Sequence, residues 1–256
     1  MPRKIPINSD ESDIVVSDWH IPFHDGRVIN AFMNDIAENE YEHIILNGDM
    51  IDAYELSRFD KPPITLVNNL FLDEIRAFRH YMARIRELQP KAKIIYLPGN
   101  HEYRWYKNLH EIWGKSLYAL ARLGINYGPE VIDPSPSQLF GLDDFDIEFH
   151  IDPNPEKSIY RLRDKINIAH GWRVLKWSCA TPKAYVTDYG GNWLIGHTHK
   201  LGVYYRTLAS GETNVAMEGG CMCKDMDYNP IANWQRGYIR LHWNGPKFRP
   251  EIMTWV

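Results

Sequence analysis

Five short apolar runs, each closed by a small cluster of oxygen and imidazole donors, constrain this chain more than any other feature. Asp13-Ile14-Val15-Val16-Ser17 runs into Asp18-Trp19-His20, and His43-Ile44-Ile45-Leu46 runs into Asn47-Gly48-Asp49. The stretch 93–97 ends in Pro98-Gly99-Asn100-His101-Glu102. Lys165-Ile166-Asn167-Ile168-Ala169 is followed by His170-Gly171, and Asn192-Trp193-Leu194-Ile195 by Gly196-His197-Thr198-His199. Apolar, β-branched runs of this length read as buried strands. Polar residues that close such strands stand at the rim of a sheet, where open α/β folds bind their ligands. One Asp-x-His or His-x-His arises easily by chance. Five such endings, each on a strand, are not explained by ordinary polar turns.

The intervening segments have helical spacing. Val28, Ile29, Phe32, Met33 and Ile36 mark a helix over 26–39, and Leu70, Ile75, Phe78, Met82 and Ile85 mark one over 67–88. A third helix is expected over 104–123, ending near Gly124. The order β-α-β-α-β-α specifies a parallel sheet with covering helices. Residues 50–66 read as loop, and 128–157, rich in Asp, Pro and Ser, reads as an insertion or cap-like segment. Strand-like runs follow at 201–208, 213–217, 237–243 and 248–255, with a hairpin turn at Asn244-Gly245. No repeat or low-complexity linker divides the chain, so one domain over 1–256 is expected.

Charge is nearly balanced, 29 basic against 33 acidic residues, so no chain-wide field argues for long nucleic acid or an anionic membrane. The arginine stripe Arg76, Arg79, Arg84 and Arg86 on the second helix reads as a solvated face. There is no apolar run of membrane-spanning length and no signal-peptide pattern. Three cysteines, Cys179, Cys221 and Cys223, read as reduced, buried thiols of a cytoplasmic protein.

The donors at the strand ends are Asp18, His20, Asp49, Asn100, His170, His197 and His199, with His101 beside them. Oxygen and imidazole without thiolate suits Mn²⁺ first, with Fe, Zn²⁺ or Ni²⁺ as alternatives, rather than calcium or an iron–sulfur cluster. Seven donors exceed what one ion with open positions needs. Two ions about 4 Å apart that share a carboxylate fit the count.

The pattern Asp18-x-His20, Gly48-Asp49-x-x-Asp52, Gly99-Asn100-His101-Glu102, His170 and Gly196-His197-x-His199 resembles the calcineurin-like metallophosphoesterases from residue 14 to about 200. The later half also resembles uncharacterised metallophosphoesterases of phage and prophage genomes. The resemblance implies a four-layer α/β/β/α sandwich with a dinuclear site. It assigns Asp18, His20 and His199 to one ion and Asn100, His170 and His197 to the other, with Asp49 as the bridge. It further implies a metal-bridging hydroxide as nucleophile and His101 as general acid. In that reading Asp52 orients His101, although a loop cap is an equal expectation.

The protein-phosphatase relatives carry an arginine after the second Asp of Gly-Asp-x-x-Asp, where this chain has Ala53-Tyr54. Arg104, or else Arg58, is the expected replacement for gripping phosphate. Trp172, next to His170, is expected to face substrate, whereas Trp177 is expected to pack as core. Basic and aromatic residues interleave between Trp172 and Tyr185, which suits a nucleotide or a single strand. Asn233-Trp234-Gln235 is expected to close near the site. The expected function is two-metal phosphodiester hydrolysis on a nucleotide or nucleic acid. A phosphomonoesterase or a non-catalytic metal-binding scaffold for a protein partner is the alternative.

Overall fold

Period-two alternation in the apolar runs decides the layering. In the computed structural model, which describes residues 11–56, 71–112, 136–151, 158–226 and 232–255, three central strands run parallel. They are β1 (Ser12–Val16), β2 (His43–Asn47) and β3 (Lys93–Leu97). Ile14, Val16, Ile44, Leu46, Ile94 and Tyr96 point to one side, where they meet Val28 and Phe32 of α1 (Gly26–Glu38) and Phe78 and Met82 of α2 (Phe71–Leu88). Val15, Ile45, Ile95 and Leu97 point the other way, into a second sheet. One-residue parity therefore makes two different cores from one set of strands.

The helix α3 (Asn100–Ile112) follows β3, and α4 (Pro136–Phe140) leads to β4 (Ile147–Phe149), which pairs parallel with β3. The second sheet begins with β5 (Tyr160–Leu162) and β6 (Ile166–Ala169). After α5 (Ala180–Tyr189) it continues through β7 (Asn192–Ile195), β8 (Leu201–Thr207) and β9 (Thr213–Gly219). The hairpin β10 (Arg236–Asn244) and β11 (Lys247–Trp255) returns to the first sheet, turning at Gly245. Strand orders are β11-β10-β1-β2-β3-β4 and β5-β6-β7-β9-β8.

Ile166, Ile168, Leu194 and Met217 fill the space between the sheets, while Trp193, Ile195 and Ala216 pack outward on Tyr185 and Val186 of α5. The result is four layers, α/β/β/α. A fully buried aliphatic side chain here is worth about 1.5–3 kcal/mol, so the inner layer alone holds the two sheets firmly together.

Two expectations need adjustment. The third helix starts at Asn100 rather than 104, because Tyr103 N–H closes a helical turn on the Gly99 carbonyl at 3.2 Å. Glu102 lies in that first turn, where a negative charge favours a helix N-terminus. Its described part ends at Ile112. The described part of 128–157 is the edge of the first sheet rather than a cap: β4 extends the sheet, and Phe140 and Leu142 are buried in the helix-side core. Residues 128–135, 152–157 and Arg58 lie outside the described residues. Among the described residues no helix is long and apolar enough to cross a membrane.

Candidate metal centre

The carboxyl ends of β1, β2, β6 and β7 meet at one rim, and the chain leaves them in a strained backbone. Asp18, His20, Asp49, His197 and His199 all have positive φ, between 49° and 64°. Non-glycine residues held there cost of order 1–3 kcal/mol each and persist where surroundings over-determine them. Those surroundings are hydrogen bonds. Asp18 N–H donates to the Gly48 carbonyl at 3.0 Å, His20 N–H to Asp49 at 2.9 Å, and Gln235 N–H to His199 at 2.8 Å. Gly99 must be glycine, since a Cβ there would run into the carboxylate and amide of Asp49.

Asp18, Asp49, His20 and His170 are each anchored by one polar side-chain atom and aim the other inward. Asp18 Oδ2 accepts from the Ser17 hydroxyl and from His197 N–H at 3.0 Å, whereas its buried Oδ1 has no hydrogen-bond donor. Asp49 Oδ1 accepts from His101 N–H at 2.9 Å, leaving Oδ2 3.2 Å from His170 Nε2 and 3.8 Å from His20 Nε2. His20 Nδ1 faces Asp52 Oδ1 at 3.0 Å, and His170 Nδ1 faces the Asn47 carbonyl at 2.8 Å. Both outer nitrogens must donate there, because a carboxylate and a carbonyl only accept. The Nε2 lone pairs then point inward. His20 Nε2 lies 3.1 Å from His199 Nε2, which is itself 3.1 Å from Asp18 Oδ1. His170 Nε2 and Asn100 Oδ1 are buried without a partner.

Lone pairs aimed at one another in a buried site are unfavourable unless a cation stands between them. Asp18, His20 and Asp49 form one set of donor atoms within 4.8 Å of one another, and Asp49, His170 and His197 form another, with Asp49 common to both. The donor set thus fits two divalent ions of the borderline, oxygen- and nitrogen-binding kind. Protonation answers the same need. Burial disfavours charge on His20 and His170, yet Asp18, Asp52 and Asp49 hold His20 well above the ordinary imidazole range. Asp49 and Asp18 likewise raise His170 to about 9. Burial and the charge on His170 push His197 down to about 4, and burial lowers His199, leaving both with open lone pairs. Burial opposes ionisation of Asp18 and Asp49 too, but the surrounding histidines hold both well below the usual carboxylate range.

A family model described as calcineurin-like phosphoesterase matches residues 14–201. The chain belongs to the calcineurin-like phosphoesterases. The chemistry of this family is metal-dependent phosphoester hydrolysis at a dinuclear divalent centre. Among curated relatives, the chain is similar to the Gene 54 protein of Mycobacterium phage L5, 26% identical over 256 residues, covering 95% of this chain and 93% of that protein. The Gene 54 protein of Mycobacterium phage D29 is 25% identical over the same shares. Among solved structures, a dimetal phosphatase from Danio rerio aligns with a TM-score of 0.45 at 9% identity, covering 96% of this chain and 97% of that one.

In this phosphoesterase, His101 lies beside the donor sets, its Nε2 3.8 Å from Asp49 Oδ2 and its ring 4.4 Å from that of His20. Its Nδ1 is 2.6 Å from the Asp52 carbonyl and 3.2 Å from Asp52 Oδ1. Asp52 thus touches two histidines, His20 and His101, and together they hold its carboxyl low against the effect of burial. Arg104 donates from Nη1 to the Asp52 carbonyl at 2.7 Å and places Nη2 3.0 Å from His101 Nε2. One of the two tryptophans parts company with the expectation. Trp172 is half-buried with its ring on Tyr185 and Tyr189, while the Trp177 side chain is the open one, 69% exposed.

Sequence reasoning missed the supports. Buried Glu102 accepts from the backbone N–H groups of Asp49, Met50, Ile51 and Gly99 and from the Tyr96 hydroxyl, at 2.7–3.3 Å. One carboxylate thereby fixes the whole Asp49 turn. Its position inside the Gly-Asn-His-Glu run was the available signal. Glu74, from α2, accepts from Ala53 and Tyr54 N–H behind Asp52, and burial pushes its carboxyl up to about 8. Trp234 packs its ring 4.3 Å from that of His199, so the closing segment does reach the rim.

Proposed function

We propose that this chain is a phosphodiesterase for nucleotide or nucleic-acid substrates, working with two divalent ions, Mn²⁺ first among them. In this reading Asp18, His20 and His199 hold one ion, Asn100, His170 and His197 hold the other, and Asp49 serves both. The observation that carries it is Asp49 Oδ2, anchored through its sister oxygen and standing within 4 Å of imidazole nitrogens of both sets. Two divalent ions bound there supply Lewis acidity toward phosphoryl oxygens and make a water acidic enough to ionise near neutral pH.

The remaining work belongs to side chains. His101 protonates the leaving oxygen from Nε2. Its Nδ1 donates to the Asp52 carbonyl, with the Asp52 carboxylate close by, and these contacts fix the orientation of the ring. Arg104 now caps Nε2. Transfer of that guanidinium to a substrate phosphoryl oxygen frees Nε2 for its proton and grips the substrate in one movement. Trp172, next to His170 in the chain, is the candidate surface for a base, with Arg58 a second candidate for phosphate. The preference for diesters is supported by the absence from the Asp52 motif of the arginine that protein phosphatases use. We further read 1–256 as one domain and place the protein in the cytoplasm, where its three free cysteines suit a reducing milieu.

The test is Mn²⁺-dependent turnover of a bis-aryl phosphodiester and an aryl phosphomonoester by wild type and His101→Ala. Faster turnover of the diester is expected. The variant should lose about 10²–10⁴-fold on a poor leaving group and much less on an activated one. Preference for the monoester overturns the diester assignment. Full metal loading with no turnover of either leaves a metal-binding scaffold.

A further inference from the structure

The outer nitrogens of the ligand-type histidines are held by different chemistry. His20 Nδ1 is fixed by a carboxylate and His170 Nδ1 by a backbone carbonyl, both oxygen acceptors within 3.0 Å. His199 Nδ1 instead faces the sulfur of Cys223 at 3.8 Å. Cys223 is fully buried, and its backbone is pinned: its neighbour Met222 donates N–H to the Asp18 carbonyl and accepts from Asp25 N–H, while Arg236 Nε donates to the Cys223 carbonyl. The His199 ring is therefore held between this thiol and Trp234.

We infer that Cys223 is the positioning residue of His199, its sulfur accepting the Nδ1 proton so that the Nε2 lone pair is directed at Asp18 and His20. The inference rests on the dinuclear reading of the site. Partners of the outer nitrogen fix tautomer and ring orientation, and a carboxylate partner also makes the imidazole a stronger donor. A thiol supplies an acceptor without charge, in a pocket that already buries Asp18, Asp49 and Asp52. His199 is then a less basic ligand than His20, whose outer nitrogen faces a carboxylate.

Calorimetric titration with Mn²⁺ tests this on the intact chain. Wild type should show two sites. Cys223→Ala should weaken one of the two about 10- to 100-fold and leave the other unchanged, and Cys223→Ser, which keeps an acceptor, should lose less. Cys221→Ala is the control. Its thiol faces the Gln235 carbonyl, and it should titrate as wild type. Equal loss in Cys221→Ala and Cys223→Ala reduces the effect to packing and overturns the inference, as does wild-type affinity in Cys223→Ala. A thiolate-to-cobalt charge-transfer band in the Co²⁺-loaded protein, absent from Cys223→Ala, makes Cys223 a ligand and overturns it as well. A wild type that binds no Mn²⁺ defeats the dinuclear reading itself, an outcome distinct from all of these.

Discussion

Both ends of β1 and β2 bury a carboxylate beside a histidine, and the two ends have opposite characters. At the amino end, Asp13 accepts from the backbone and Nδ1 of His43, from Arg163 Nε at 2.9 Å and from Trp243 Nε1 at 2.7 Å. Arg163 comes from the β5–β6 turn and also reaches Glu42 at 2.6 Å, so this cluster staples one sheet to the other. Although Asp13, Glu42 and His43 lie close enough to surround an ion, the guanidinium already stands in that role. At the carboxyl end, among the described residues, Arg104 reaches Asp52 and His101, and no guanidinium or ammonium is paired with Asp18 or Asp49. There Asp18 Oδ1, Asn100 Oδ1 and His170 Nε2 are left buried and unpartnered. Buried acid and imidazole side by side do not make a site; missing donors do.

The comparison predicts a separation of activity from stability. Asp49→Asn, at the open end, should lower kcat on phosphoesters about 10³-fold, equivalent to about 4 kcal/mol, and abolish binding of one ion. Turnover within a few-fold of wild type in that variant breaks the assignment of the open end.

At the closed end, Asp13→Asn should cost about 3 kcal/mol in urea unfolding at pH 7 while leaving turnover of the folded fraction intact. Burial raises the Asp13 carboxyl, but His43 and Arg163 outweigh it and hold it below its ordinary value. Its stabilisation is therefore present above the unfolded carboxylate range, near pH 4, and is lost as pH falls through the lower folded value. The gap between wild type and variant should shrink on acidification below about pH 4. A gap that widens there contradicts the sign.

Metal itself sharpens the contrast. Free Mn²⁺ at about 100 times its Kd should stabilise wild type by about 2.7 kcal/mol, with Tm rising accordingly. Asp13→Asn should gain the same increment and Asp49→Asn a smaller one. The smallest effect is expected from Asp52→Asn, which weakens the hold on His20 Nδ1 and should cost about 10- to 100-fold in Mn²⁺ affinity by equilibrium dialysis. No change in affinity would confine Asp52 to its contacts with His101.

Much of the architecture was legible because it is local. Parity along β1, β2 and β3 sorts Ile44 from Ile45 and Ile94 from Ile95 without reference to the rest of the chain, and turn chemistry at Asn244-Gly245 sets the last hairpin. The helix start at Asn100 was not legible, since Gly-Asn-His-Glu has the composition of a turn and becomes helical where Glu102 meets the Asp49 loop. The open Trp177 was likewise beyond sequence reasoning, because which ring packs depends on where α5 places Tyr185 and Tyr189, and they receive Trp172.

Sequence by itself determined which donors stand at the ends of which strands, and hence the kind of chemistry. Residue type and strand period are properties of a few consecutive residues. Tertiary structure alone decided which oxygen of Asp18 and Asp49 is anchored and which is free, that Asp49 lies between two imidazole sets, that Arg104 caps His101, and that a thiol stands behind His199. Most of these are relations between segments far apart in the chain. All turn on contacts of 2.9–3.8 Å at the carboxyl rim, set by how the strands, their loops and α3 pack there.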